Sequence, residues 1–79
     1  MASKYQTKII KRFEKDGWFV INLIKTNKNG IPDLIAIPPN SMVIFSEVKT
    51  PKGVLSTLQK YRLKELEEHG CITEVYRGD

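Results

Sequence analysis

Gly30-Ile31-Pro32-Asp33-Leu34-Ile35-Ala36-Ile37 and Met42-Val43-Ile44-Phe45-Ser46-Glu47-Val48-Lys49 are the stretches whose reading decides the fold. Residues 33–37 and 42–49 are each dominated by a continuous apolar run, the pattern of a strand covered on both faces. Pro38, Pro39, Asn40 and Ser41 lie between them and make a turn. Pro32 introduces the first strand at a position where no ladder donor is needed. Asp33 therefore opens one strand, while Glu47 and Lys49 close the next.

Working outward, Tyr5, Ile9, Ile10 and Phe13 recur at helical spacing and predict a helix over 4–16. Ser3 and Gln6 have capping-box spacing, and Gly17 suits the position after the helix end. WFVINLI, residues 18–24, is rich in β-formers and too short for a helix. KTNKNG, residues 25–30, is a polar loop. Beyond Lys49, Ser56 and Gln59 form a second capping-box pair, opening a helix from about 57 to 69 with Leu58, Leu63 and Leu66 on its apolar face. Gly70 ends it, and CITEVYR, residues 71–77, is a last strand. The order is αβββαβ. Short connections make the first three strands an antiparallel meander, and the strand–helix–strand crossover makes the fourth parallel to the third. The class is mixed α/β: a four-stranded mixed sheet flanked by helices, in one domain over 1–79.

With 79 residues, the chain buries only about 60% of its unfolded surface. Cys71 is the sole cysteine, so no internal disulfide reinforces the fold, and a reducing, cytoplasmic setting is expected. A metal or a homodimer is left to supply stability. No signal peptide is read at the N-terminus and no run comes near the ~20 residues needed to cross a bilayer, so no membrane partner is expected. The net charge of +4 favours an anionic partner, nucleic acid being the commonest, although solubility alone explains the same surplus.

Side chains alternate along a strand, so Glu47 and Lys49 share a face, roughly 7 Å apart. Asp33 joins them in one register: opposite Glu47, with Ile35 facing Phe45, Ile37 facing Val43 and a loop over 38–42. A slip of one residue turns Asp33 away. We expect the first register, or a bulge with the same effect. Two carboxylates held close repel and favour a shared divalent cation. Mg²⁺ suits such oxygen donors and keeps several waters beside one or two carboxylates. The Val48 carbonyl would add a further oxygen, and Lys49 would orient water or stabilise charge developing on phosphorus oxygens. The set suits phosphodiester hydrolysis. The plainer alternative is an Asp in a turn and a Glu–Lys pair at a strand end.

Pro32-Asp33 followed by Glu47-Val48-Lys49 resembles the PD-(D/E)XK nuclease motif. The wider string GIPDLIAI…FSEVKTPKGVLSTLQKYRLKELEEHG is similar to the VRR-NUC branch, in its small stand-alone form found in phages and bacteria. That resemblance covers nearly the whole chain. It implies a restriction-endonuclease-like fold and Mg²⁺- or Mn²⁺-dependent cleavage of DNA in a bacterial or phage-infected cell. It implies Asp33, Glu47 and the Val48 carbonyl as metal ligands, Lys49 as catalytic lysine, and Gln59 as a glutamine near the site beside its capping role. Family members usually carry a glutamate early in the first helix. Gln6 stands there as a possible ligand, with an amide in place of a carboxylate, and Glu14 is a weaker alternative near the helix end.

Lys25, Lys28, Lys52 and Gly53 are expected to contact DNA phosphates, with Lys60 and Arg62 also flanking the site, although a solvated role is the plainer reading of any single lysine. The Pro51-Lys52-Gly53 loop follows Lys49 directly, and its glycine would let backbone amides approach a phosphate. Trp18, Tyr61 and Tyr76 are read as core, Cys71 as a small buried hydrophobe, and His69 as a group serving the second helix's C-terminus. The activity expected is a structure-selective endonuclease, a homodimer resolving Holliday junctions. Flaps or duplex DNA are alternative substrates, a non-catalytic DNA-binding module on the same fold is an alternative function, and an interaction subunit for an acidic protein is a third.

Overall fold

The computed structural model describes residues 4–78. The elements are α1 (Lys4–Lys15), β1 (Phe19–Asn22), β2 (Leu34–Ile37), β3 (Ile44–Lys49), α2 (Thr57–Glu68) and β4 (Ile72–Arg77). This is the αβββαβ order expected. The sheet order is β1-β2-β3-β4, with β1, β2 and β3 antiparallel and β4 parallel to β3. The expected Ser3 cap of α1 lies outside the described residues.

Register assigns the faces. Phe19, Ile21, Ile35, Ile37, Phe45, Glu47, Lys49 and Val75 share one side through their cross-strand pairs. Val20, Asn22, Leu34, Ala36, Ser46, Val48 and Tyr76 share the other. α1 lies on the second side: Phe13 is buried, stacks on Trp18 with centroids 4.3 Å apart, and meets Tyr76 edge-on at 5.0 Å. α2 lies on the first side, where Gln59 reaches Glu47 and Thr73 donates to Glu67. It packs chiefly against β4 and leaves the β1–β2 half of its side open.

The open side falls on β1; the residues of β2 and β3, read as covered on both faces, are buried or half-buried. Phe19 is 66% exposed and Ile21 40%. Met42 and Val43, expected to begin the third strand, are exposed and precede it; the strand starts at Ile44. The Ile37–Val43 pair is therefore not part of the ladder, because a turn closed by the Ser41 amide on the Pro38 carbonyl, with Asn40 at φ 55°, carries the chain past that position. Trp18, Leu23 and Ile24 likewise fall outside β1. Tyr61 is exposed and not core, although it lies between Gln59 and Glu67, which both reach the sheet, and Cys71 is only half-buried. Both helices end one residue earlier than expected.

Candidate metal centre and nuclease site

The register expected from Asp33 and Glu47 is the one observed. Leu34 pairs with Ser46, Ile35 with Phe45 and Ala36 with Ile44. One step further along the same ladder, Asp33 comes opposite Glu47. Asp33 is held there by its Oδ2, which accepts the Val48 amide at 2.9 Å, while its own carbonyl accepts the Leu23 amide at 2.8 Å. Pro32, just before it, is fully buried and fixes the entry of the chain.

Glu47 is 3% exposed. Its Oε2 accepts from Gln59 Nε2 at 3.3 Å and lies 3.9 Å from Lys49 Nζ. Burial pushes the Glu47 carboxyl up to about 8; the Asp33 charge and a hydrogen bond to Asp33 add to the rise, and the Lys49 ammonium opposes it. Two carboxyls in hydrogen-bonding reach, one of them retaining its proton near neutrality, describe a place where positive charge is missing. A divalent cation fits that donor chemistry. Among the described residues no group of three or more His, Cys, Asp and Glu is gathered. Further donors would come from backbone oxygen, as expected of Val48, and from water.

Gln59 holds both of the roles expected of it. The Ser56 hydroxyl accepts the Gln59 amide at 3.0 Å and the Gln59 Oε1 accepts the Ser56 amide at 2.9 Å, completing the capping box. With Oε1 committed to the cap, the side chain turns Nε2 towards Glu47. Local helix chemistry thus orients a donor at the site. The cap acts on Glu47 through an N–H and leaves no free carbonyl for a metal.

Gln6 is bonded across the contact between α1 and β1. Its Nε2 donates to Asn22 Oδ1 at 2.8 Å, on the α1 side of the sheet. Lys25 and Lys28 line an open recess with Asn29 and Gly30. Gly30 has φ 78°, and a Cβ there would meet Leu58 Cγ at 2.6 Å, so only glycine lets this loop approach α2. Lys52 is exposed. The Gly53 N–H itself donates to the Thr50 carbonyl at 3.0 Å in a tight turn. Arg62 ties the recess down, donating to the Asn29 carbonyl and pairing with Glu65 at 2.9 Å. His69 serves the end of α2 as expected, its Nδ1 lying 2.7 Å from the Glu65 carbonyl.

Sequence reasoning missed Arg77. It pairs with Lys49 across the parallel ladder and donates to the Gly53 carbonyl, clamping the turn that follows Lys49. The signal is present: a parallel β3–β4 register drawn residue by residue brings the last strand's arginine beside the lysine.

A family model described as the VRR-NUC domain matches residues 2–79. A solved structure described as a VRR_NUC domain superposes with a TM-score of 0.82 at 26% identity, over 95% of this chain and 82% of that one. A comparison with curated proteins finds no match.

Proposed function

Since the chain belongs to the VRR-NUC family, within the PD-(D/E)XK nuclease superfamily, we propose that it is a Mg²⁺- or Mn²⁺-dependent, structure-selective DNA endonuclease. Its substrate in this reading is a four-way junction, cut by a homodimer. The observation that carries the reading is the Asp33–Glu47 carboxyl pair, with Lys49 on the same face.

Asp33, Glu47 and the Val48 carbonyl would hold the cation. When bound it supplies Lewis-acid polarisation of a phosphodiester and activation of water. Lys49 Nζ, close to Glu47, offers positive charge to the phosphoryl oxygens as they gain charge in the transition state. Gln59 fixes the rotamer of Glu47 through Nε2. Val48 fixes Asp33 through its N–H, so both carboxyls are held by donors the fold has already positioned.

The dimer is supported by the open half of the α2 side. Phe19, Ile21 and Val43 are all at least 40% exposed. Phe19 and Ile21 lie beside Ile37 and Ile35. Apolar surface of this kind on a small domain suits a second copy of itself, and two-fold symmetry would present two sites to two strands.

The test is a panel of end-labelled junctions, flaps and duplexes incubated with Mg²⁺. Cleavage of the junction in preference to the duplex, lost in Asp33→Ala, Glu47→Ala and Lys49→Ala, is expected. Absence of cleavage on every substrate, with Glu47→Ala indistinguishable from the parent protein, would sink the reading. A second reading, a DNA-binding module without catalysis, is favoured by Gln6 standing where the family usually has a glutamate and spending its amide on Asn22. Salt-sensitive DNA binding without Mn²⁺ binding would select it.

A further inference from the structure

The five basic residues of α1 are Lys4, Lys8, Lys11, Arg12 and Lys15, against the single carboxylate of Glu14. All five are exposed. Lys4, Lys8, Lys11 and Lys15 recur at intervals of four, three and four residues, which places them in one row along the helix, with Arg12 at its flank. At 1.5 Å per residue the row is about 16 Å long. The opposite face of α1 is committed to the sheet through Phe13. The helix therefore has no apolar face left to insert into a lipid surface, which is what a membrane-binding basic helix needs.

The row leads to the site. Lys8 and Arg12 line a cavity of about 50 Å³ with Tyr5, Tyr76, Val48 and Arg77. Val48 is the residue whose amide holds Asp33, and Arg77 is the register partner of Lys49. Positive charge thus runs from the outer face of α1, past this cavity, to the end of the catalytic strand. The acids on α1 and β4 are Glu14 and Glu74, with Glu74 hydrogen-bonded to Tyr76, and the acid on β3 is Glu47 of the site itself.

We propose that the basic row of α1, from Lys4 to Lys15, is a second DNA-binding surface, which grips the phosphate backbone of one arm of the substrate and delivers the strand to the Asp33–Glu47 site around the Val48–Arg77 edge. The proposal rests on the nuclease reading above and places the contact on a helix outside the loops expected from sequence. The chemistry recognised is a row of phosphates: duplex DNA carries one charge per about 1.7 Å of its axis, and five cations over about 16 Å match a polyanion rather than a single ion. Such contacts position the substrate without reading its bases.

The experiment is fluorescence anisotropy with a fluorescein-labelled duplex in EDTA, over a range of salt, with the parent protein and a variant carrying Lys8→Gln, Lys11→Gln, Arg12→Gln and Lys15→Gln. Glutamine keeps helix propensity close to that of lysine, and circular dichroism checks the fold. A matching set of Lys→Arg changes at 8, 11 and 15 keeps the charge, and Lys64→Gln, exposed on α2 away from its capped N-terminus, serves as a single-charge control. Each phosphate left without its cation should flatten the slope of log K against log salt by about 0.9. The glutamine variant should therefore show a markedly weaker salt dependence and, in Mg²⁺, a raised KM with kcat retained. The arginine set and the α2 control should behave like the parent. If the parent binds and cuts DNA while the glutamine variant matches it in slope and affinity, the row is not a binding surface and the nuclease reading stands. An equal loss per charge removed in the α2 control would also overturn the proposal, by showing a response to net charge alone. If the parent neither binds nor cuts DNA, the nuclease reading fails and the row fails with it; binding of the row to an acidic protein would then be the reading to pursue.

Discussion

The two helices have the same length and opposite designs. α1 buries Phe13 in an aromatic cluster and carries five cations against one acid. α2 buries no residue fully and balances Lys60, Arg62 and Lys64 with Glu65, Glu67 and Glu68. One helix holds the sheet and concentrates the charge; the other contributes little core and spends its first turn on the site, through the Ser56–Gln59 cap. The contrast shows how so short a chain divides its tasks. A helix anchored by packing tolerates a surface of repelling lysines. A helix whose first turn holds a buried carboxyl in place must have its N-terminus fixed by hydrogen bonds instead.

This division of tasks is open to experiment at several points. Phe13→Ala should destabilise the fold most, by about 3–5 kcal/mol, whereas Leu58→Ala on α2, already 40% exposed, should have a much smaller effect; equal losses in urea unfolding would contradict the division. Second, Glu47 has its carboxyl raised from 4.5 to about 8. A carboxyl raised in the folded state keeps its proton more tightly there, so the metal-free protein has this contribution intact below pH 4.5 and loses it progressively as pH rises to about 8. Thermal unfolding in EDTA should show stability falling across that window by a few kcal/mol, Mn²⁺ should reverse the fall, and Glu47→Gln should flatten the profile. Third, Gln59→Ala should cost about 1 kcal/mol through the cap and also reduce cleavage, whereas Gln59→Glu should keep the cap and still impair cleavage by setting a carboxylate against Glu47. Full cleavage by both variants, with stability lost only in Gln59→Ala, would show that Gln59 is a cap alone. The smallest effect is at Ser46, on the α1 side of β3, whose buried hydroxyl has no partner among the described residues. Ser46→Ala should be neutral or stabilising by about 1 kcal/mol in the same unfolding assay.

Much of this is legible in the sequence because its cues are local. The apolar periodicity of α1, the Ser56–Gln59 spacing and the short connections of the meander each specify geometry within a few residues. The Asp33–Glu47 register is legible once Ile35 is set opposite Phe45. Strand ends are less so: Met42 and Val43 read as buried because hydrophobicity does not say which side of a sheet lacks a helix. The open face around Phe19 depends on where α2 comes to rest, which no local pattern encodes. Arg77 depends on the β3–β4 register across a crossover. The turn bond from the Gly53 amide to Thr50 is a matter of backbone geometry that residue type does not specify. The α1 row is visible in the spacing of its lysines, but its nearness to the site requires the cavity that Lys8 and Arg12 share with Val48.

Whether Asp33 and Glu47 together make a cation site is the question on which the nuclease reading turns, and titration calorimetry with Mn²⁺ near pH 7 answers it. With the Glu47 carboxyl held near 8, the metal must displace its proton on binding. Mn²⁺ should bind with release of close to one proton, read as a heat that changes with the ionisation enthalpy of the buffer, and Glu47→Ala should abolish the binding. Absence of binding, or binding that Glu47→Ala leaves unchanged, would contradict a shared cation site at this pair.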